Sequence, residues 1–172
     1  MAATVTNYSK DLGDREPLAA MREAVGRIGT LVAGWTPAQF ERSYAPGKWT
    51  TRQILIHLVQ TEIALGNRAR MALATPNYTA QAFDQDRWMD LEAAERHGSP
   101  AAARGVGGAD AAAALAAMNV LNRTLFASLT AEDRATPFAH PEYGALSVDW
   151  LVHQMAGHLQ HHLVQIEEIA RK

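Results

Sequence analysis

The sequence predicts an all-α protein, a four-helix bundle with short additional helices, folded as one domain over residues 1–172. Three observations point there. Four long segments repeat apolar residues at spacings of three and four, the period of a helix face turned to a core. Cap and breaker residues bound these segments. No alternating run rich in Val, Ile and Thr stands between turn signals, so no sheet is expected. With 172 residues and 48% hydrophobic content, the chain is long enough to bury one core and short for two.

Residues 1–14 carry no helical period and read as a flexible N-terminus. From Glu16 to Val32, Leu18, Met21, Val25, Ile28 and Val32 form the narrow seam of a first long helix. Thr36-Pro37 reads as a cap followed by proline at the first helical position, opening a short turn through Phe40. Pro46-Gly47 marks a turn. Thr50 with Gln53 makes a capping box for a second long helix running to about Ala74. It carries His57 at the edge of a wide apolar arc, and periodicity leaves the direction of that ring open. Ala82 to His97 reads as a shorter, more charged helix, closed by Gly98-Ser99-Pro100. Residues 101–109 are small and glycine-rich, a loop by composition. Asp110 is placed to cap a third long helix, seamed by Leu115, Met118, Leu121, Leu125 and Leu129. Thr130 with Asp133 resembles a further cap, Ala135 to Leu146 reads as a connection, and Ser147 caps the last helix.

Composition narrows the partners. A formal charge of −2, with Lys and Arg scattered singly, gives no basic footprint for nucleic acid. No stretch approaches the roughly 18 apolar residues of a membrane span, and the N-terminus lacks a basic region followed by an apolar run. A cytoplasmic location is the expectation, with a small molecule as the partner. There is no cysteine, so the chain itself supplies no disulfide, thiolate ligand or cysteine nucleophile. Any thiol chemistry here needs an external thiol.

The last helix, from Ser147 to Lys172, holds four of the seven histidines. At about 100° per residue, Leu151, Met155, Leu159, Ile166 and Ile169 share roughly 80° of arc. His158 and His162 lie within roughly 40° of each other at the border of that stripe. An i, i+4 pair of imidazoles suits two ligands of one divalent ion, and a third histidine, His57, with an open position would complete a catalytic site. Gln165, one turn past His162, is a candidate to orient a ligand or to bridge helices. Glu62 lies well round the helix from His57 and reads as a packing residue or a support for the ligands. His153 and His161 read as solvated. Trp35, Trp49, Trp88 and Trp150 read as core or interface anchors. Asp84, Asp86 and Arg87 either line a site mouth or favour a helix start.

The segments APGKWTTRQILIHLVQTE and GHLQHHLVQI together resemble the DinB/YfiT-like superfamily. The resemblance rests on Trp49 at the start of the second long helix, His57 two turns later, and H-x-x-x-H-x-x-Q-I at His158, His162, Gln165 and Ile166. Phe83 to Trp88 is similar to the segment that follows this helix in the YfiT-like branch. The resemblance implies an up-down-down-up bundle, a homodimer, and a zinc or nickel ion held by His57, His158 and His162. It implies too a reaction in which the ion activates a low-molecular-weight thiol, of the transferase or isomerase type, or water, of the hydrolase type, against a small electrophile. The second class left open is a non-catalytic metal-binding or stress-related dimeric module. The chain has no H-E-x-x-H, no paired E-x-x-H of a di-iron bundle and no Walker loop.

Overall fold

The computed structural model describes residues 4–92 and 105–172. The elements run α1 (Ser9–Leu12), α2 (Pro17–Val32), α3 (Pro37–Phe40), α4 (Thr51–Ala74), α5 (Gln85–Glu92), α6 (Gly108–Ser128), α7 (Ala131–Ala135), β1 (Pro137–His140), β2 (Gly144–Ser147) and α8 (Val148–Ala170). The long helices α2, α4, α6 and α8 form the bundle. The starts of α2, α4 and α8 are fixed by side chains. Glu16 accepts from the Leu18 and Ala19 amides ahead of α2, Thr50 and Gln53 make the reciprocal box of α4, and Ser147 Oγ accepts the Trp150 amide at the head of α8.

Contacts between the helices give their directions. Gln160 Nε2 donates to the Ala20 carbonyl and Arg27 pairs with Glu167, so α2 and α8 run parallel. Gly108, at the start of α6, lies against Phe40 just ahead of α4, and Gly66 meets Asn122 further along, so α4 and α6 also run parallel. Lys172 Nζ donates to the Tyr44 carbonyl, which brings the end of α8 to the start of α4; that pair is antiparallel. The result is the up-down-down-up order. Parallel neighbours need a connection that traverses the bundle, and the stretch of chain between α4 and α6 is long enough for one. The core between the helices includes Met21, Ile28, Ile54, Leu55, Leu58, Leu115, Phe126, Leu151 and Ile166, all essentially inaccessible.

One buried polar seam joins α4 to α6. Glu62 accepts from Asn119 Nδ2 at 2.8 Å and Asn122 Nδ2 at 2.6 Å, and its backbone carbonyl also accepts from Asn122. Arg70 and Arg123 donate to the Oδ1 atoms of Asn122 and Asn119. Burial pushes the Glu62 carboxyl up, and the two asparagines and Arg123 act in the opposite direction. Glu62 is thus a helix-packing residue, and its hydrogen bonds go to α6 rather than to the histidines.

Four expectations need correction. The connection from Ala135 to Leu146 contains an antiparallel hairpin, Pro137 opposite Ser147 and His140 opposite Gly144. Each strand is only four residues, too short for alternation to show, and prolines flank the first. Its pairing is reinforced from outside, because Ala80 N donates to the Ala139 carbonyl and Ala139 N to the Tyr78 carbonyl. Gly144 takes φ 73° to turn the chain into the second strand. The N-terminus is not loose over the described residues 4–14: α1 packs on α8 through Leu12, Asn7 Nδ2 donates to Tyr143, and Thr4 Oγ1 donates to Asp149. The third long helix starts before Asp110, capped at Gly107, with Asp110 in its first turn where the helix dipole favours an acid. The shorter helix begins at Gln85 rather than Ala82, because Asp84 Oδ1 accepts the Arg87 amide and acts as its cap. The remainder of that expected helix and the first four residues of the glycine-rich loop, all within residues 93–104, lie outside the described residues.

Asn122 makes three hydrogen bonds, of which the two to Glu62 are buried and the one from Arg70 partly so. The Asn122→Ala variant should therefore lose about 2–3 kcal/mol of stability, read as a lower urea midpoint at unchanged slope. A loss under about 0.5 kcal/mol would mean that the seam contributes register and little energy.

Candidate metal centre

α4 and α8 cross where both carry histidine. His57 and the i, i+4 pair of His158 and His162 come together there with 3%, 5% and 5% of their surfaces exposed. Nε2 of His158 lies 3.0 Å from Nε2 of His57 and 3.0 Å from Nε2 of His162. The candidate donor atoms of all three residues lie within 4.8 Å of one another. Nitrogens on a tetrahedral ion, at metal–nitrogen distances near 2.05 Å, stand about 3.3 Å apart. The rings therefore converge at ligand spacing.

Burial keeps them neutral. It lowers His57 to about 4 and His162 to about 3, and drives His158 well below the ordinary histidine value. Mutual repulsion among the rings adds to the effect at His158 and His162. Neutral imidazoles are the form that binds metal. A single proton cannot lie on both 3.0 Å lines at once, whereas a cation at the centre serves all three nitrogens. By that chemistry the donor set fits a divalent ion.

The surroundings orient two of the rings. Gln165 Oε1 accepts from His162 Nδ1 at 2.8 Å, which places that ring's proton on Nδ1 and leaves the Nε2 lone pair toward the other histidines. Gln165 Nε2 donates to His161 Nε2 at 3.1 Å, and His161 Nδ1 donates to Asp11 Oδ1 at 3.1 Å. Donors and acceptors thus run in one direction from His162 through Gln165 and His161 to Asp11. His57 is held by packing instead. Its Nδ1 is buried without a partner, and Trp49 tilts against the ring at 4.8 Å while lying nearly parallel to His162 at 6.5 Å. Tyr8 tilts over His158 at 4.9 Å and over His161 at 5.3 Å. Gly157 permits this, since a Cβ there would overlap the Tyr8 backbone.

A cavity of about 170 Å³ opens beside His57 and His158, and His162 does not line it. Its walls include Tyr8, Thr61, Arg68, His140, Trp150 and Gln154. The histidine cluster is therefore covered by Trp49 and Gln165 on the His162 side and accessible from the other.

The structure brings together the three histidines singled out in the sequence and puts Gln165 in contact with His162. It differs at His161 and His153, which are half-buried and bonded, the latter to the Asp149 carbonyl at 2.9 Å. Trp49 packs on the site, Trp150 lines the cavity, and Trp88 meets Phe83 edge-on. Asp84 caps a helix, and Phe83 and Gln85 reach the cavity. Tyr8, Asp11 and Arg68 were not anticipated. Gly157, directly before His158, was the available signal for Tyr8, as a glycine inside a helix asks for a close neighbour.

A bundle with this helix order and a buried, convergent trio of histidines defines a four-helix-bundle protein equipped for one divalent cation. A model of the DinB superfamily matches residues 20–166, and the chain belongs to that superfamily. Among its relatives is a protein of Oceanobacillus iheyensis, provisionally named a metal-dependent hydrolase, 24% identical and aligned over 88% of this chain and 82% of its own. YfiT of Bacillus subtilis, named in the same provisional way, is 21% identical with 98% and 97% covered. The solved structure of YfiT superposes with a TM-score of 0.77 over 99% of this chain and 91% of YfiT, at 19% identity. A mycothiol-dependent maleylpyruvate isomerase superposes with a TM-score of 0.66 at 13% identity, over 94% of this chain and 63% of the longer isomerase. Among the described residues no helix is long and apolar enough to cross a membrane.

Two outcomes follow from the site. Removing the Gln165 amide frees the His162 ring, so Gln165→Leu should weaken metal binding about 10–100-fold in a chelator competition, with helical content unchanged. Equal affinity would show that packing alone holds His162. The second concerns pH. Because His57 titrates near 4 when folded against an ordinary value of 6.5, the unfolded chain takes up the proton first as pH falls. Metal-free protein should lose stability from about pH 6.5 down to about pH 4, and His57→Gln should flatten that slope in denaturant titrations.

Proposed function

We propose that the chain is a divalent-metal-dependent enzyme, with zinc or nickel held by His57, His158 and His162 and a small electrophile as substrate. The observation that carries this reading is the convergence of three neutral imidazole nitrogens at the edge of a cavity, with no fourth protein donor in the cluster among the described residues. Such an ion supplies Lewis acidity, which lowers the pKa of a coordinated thiol or water. The chain's own part is to position and shield. Gln165 fixes the tautomer of His162, Trp49 and Tyr8 hold the rings and keep solvent from their outer faces, and the cavity admits substrate beside His57 and His158.

Two chemistries fit the centre, a low-molecular-weight thiol attacking the electrophile or water doing so. The names of the relatives support metal-dependent hydrolysis, and the likeness to a mycothiol-dependent isomerase supports the fold's capacity to work with an external thiol. The absence of cysteine from this chain means that a thiol nucleophile must come from outside.

The test is metal content by elemental mass spectrometry on untagged protein purified without added metal, beside His57→Ala and His162→Ala. One zinc or nickel ion per chain, lost in both variants with the helical circular dichroism kept, is the expected result. Screening the loaded protein with thiols and electrophiles, and with esters and amides in water alone, then separates the two chemistries. A protein that neither carries nor takes up a divalent ion would overturn the proposal and leave a binding module.

A further inference from the structure

The cavity beside the histidines contains a charge that the proposed chemistry does not use. His57, Thr61, Leu65 and Arg68, spaced four, four and three along α4, form one stripe on the cavity wall. The Arg68 Cα lies about 16 Å along the helix from that of His57, and helical side chains lean toward the N-terminus, which brings the guanidinium back toward the histidines.

Arg68 is 7% exposed, and among the described residues it makes one hydrogen bond, Nη2 to the Gln81 carbonyl at 2.6 Å. That leaves Nε, Nη1 and a second Nη2 hydrogen as donors. It makes no ion pair among the described residues. Glu142, on the exposed hairpin turn, borders the same cavity and acts on Arg68 through its field, but makes no ion pair with it. A buried, unpaired guanidinium is costly, and charges so placed normally have a partner. Nor does the neighbouring His140 add a second positive charge. The Glu142 amide donates to its Nδ1, and burial, then the Arg68 charge, lower its pKa against the opposing effect of Glu142. A lone planar cation suits a single carboxylate, which it grips through two parallel hydrogen bonds. On the same wall Gln154 Oε1 is buried without a partner, so a molecule held there meets a second polar group.

We propose that Arg68 is the anion-recognition residue of this cavity and that the substrate is a small carboxylate, gripped at Arg68 while its reactive carbon faces the histidines. This deepens the metalloenzyme reading and rests on it for the reaction, though the anion site itself requires no metal. The carboxylate replaces the ion pair that Arg68 lacks, and the distance between guanidinium and histidines selects the length of the molecule.

The test uses propionate and its neutral isostere propionamide as probes, titrated calorimetrically into the full chain after removal of metal by chelation and after loading with zinc. Metal content is measured on the same samples. Wild-type protein should bind propionate at least about tenfold more tightly than propionamide in both states. Arg68→Met should abolish that preference, and Arg68→Lys should keep part of it, since lysine offers charge without the fork. Equal affinity for the two probes in metal-free wild type, or a preference that survives in metal-free Arg68→Met, overturns the proposal. The wild-type comparison decides even if the variants fold poorly. A preference for propionate in protein that takes up no metal would leave the anion site standing and remove the metalloenzyme reading, so the two fail separately.

Discussion

The structure depends on keeping three imidazoles together in a dry seam between α4 and α8. Each ring is a polar group removed from water, and none is charged at neutral pH. A helical residue slipped by one position turns its side chain by about 100°, which would send a histidine into the apolar core or out to solvent. The register of both helices is therefore tightly specified. The Thr50–Gln53 box starts α4 seven residues before His57, and Ser147 starts α8 eleven before His158. Both helices are capped by side chains within about two to four turns of the rings they must aim.

α4 meets this demand while carrying a second one. On one side it presents His57, and on another it buries Glu62 against the asparagines of α6. The carboxylate is satisfied by two amide donors, with Arg123 helping only through its field, so the cost of burying it is offset by hydrogen bonds more than by an ion pair. Apolar packing tolerates small shifts in register, whereas these bonds are directional. The parallel pair α4 and α6 is thereby indexed independently of the antiparallel pair α4 and α8. Buried residues occur all round α4 as a consequence, which explains why its apolar arc in the sequence is so wide.

Helix starts and the i, i+4 histidines were legible because they rest on local chemistry. A cap acts over three residues, and His158 and His162 share a face whatever they pack against. The resemblance extended this to His57, whose own periodicity left its direction open, since a wide apolar arc does not single out an edge. What sequence spacing could not show is long-range. Tyr8 and Asp11 reach the site only because Gly157 lets α1 close on α8, and a four-residue helix has too little periodicity to stand out. The hairpin was missed because its strands gain support from Tyr78 and Ala80, some sixty residues earlier in the chain. Arg68 looked like any surface arginine. Its burial comes from the hairpin and the segment around Gln81 folding over it, and neither can be placed without the tertiary structure.

The charge balance of the site links these parts. Three neutral histidines would leave a bound divalent ion with its full charge, unlike donor sets that include thiolate or carboxylate. The nearest acid along the hydrogen-bonded chain is Asp11, which is linked to His162 through His161 and Gln165 and also acts on it through its field. A hydrogen-bonded carboxylate at that remove strengthens the ligand's basicity without neutralising the centre. On the cavity side Arg68 adds a further positive charge, and burial weakens the screening between the two. With an ion at the histidines, as proposed, such a pocket would attract anions at both ends. It would favour the deprotonated form of the nucleophile that meets the ion and a negative group at Arg68, so binding of substrate and activation of nucleophile would draw on one positive field, which Glu142 offsets in part.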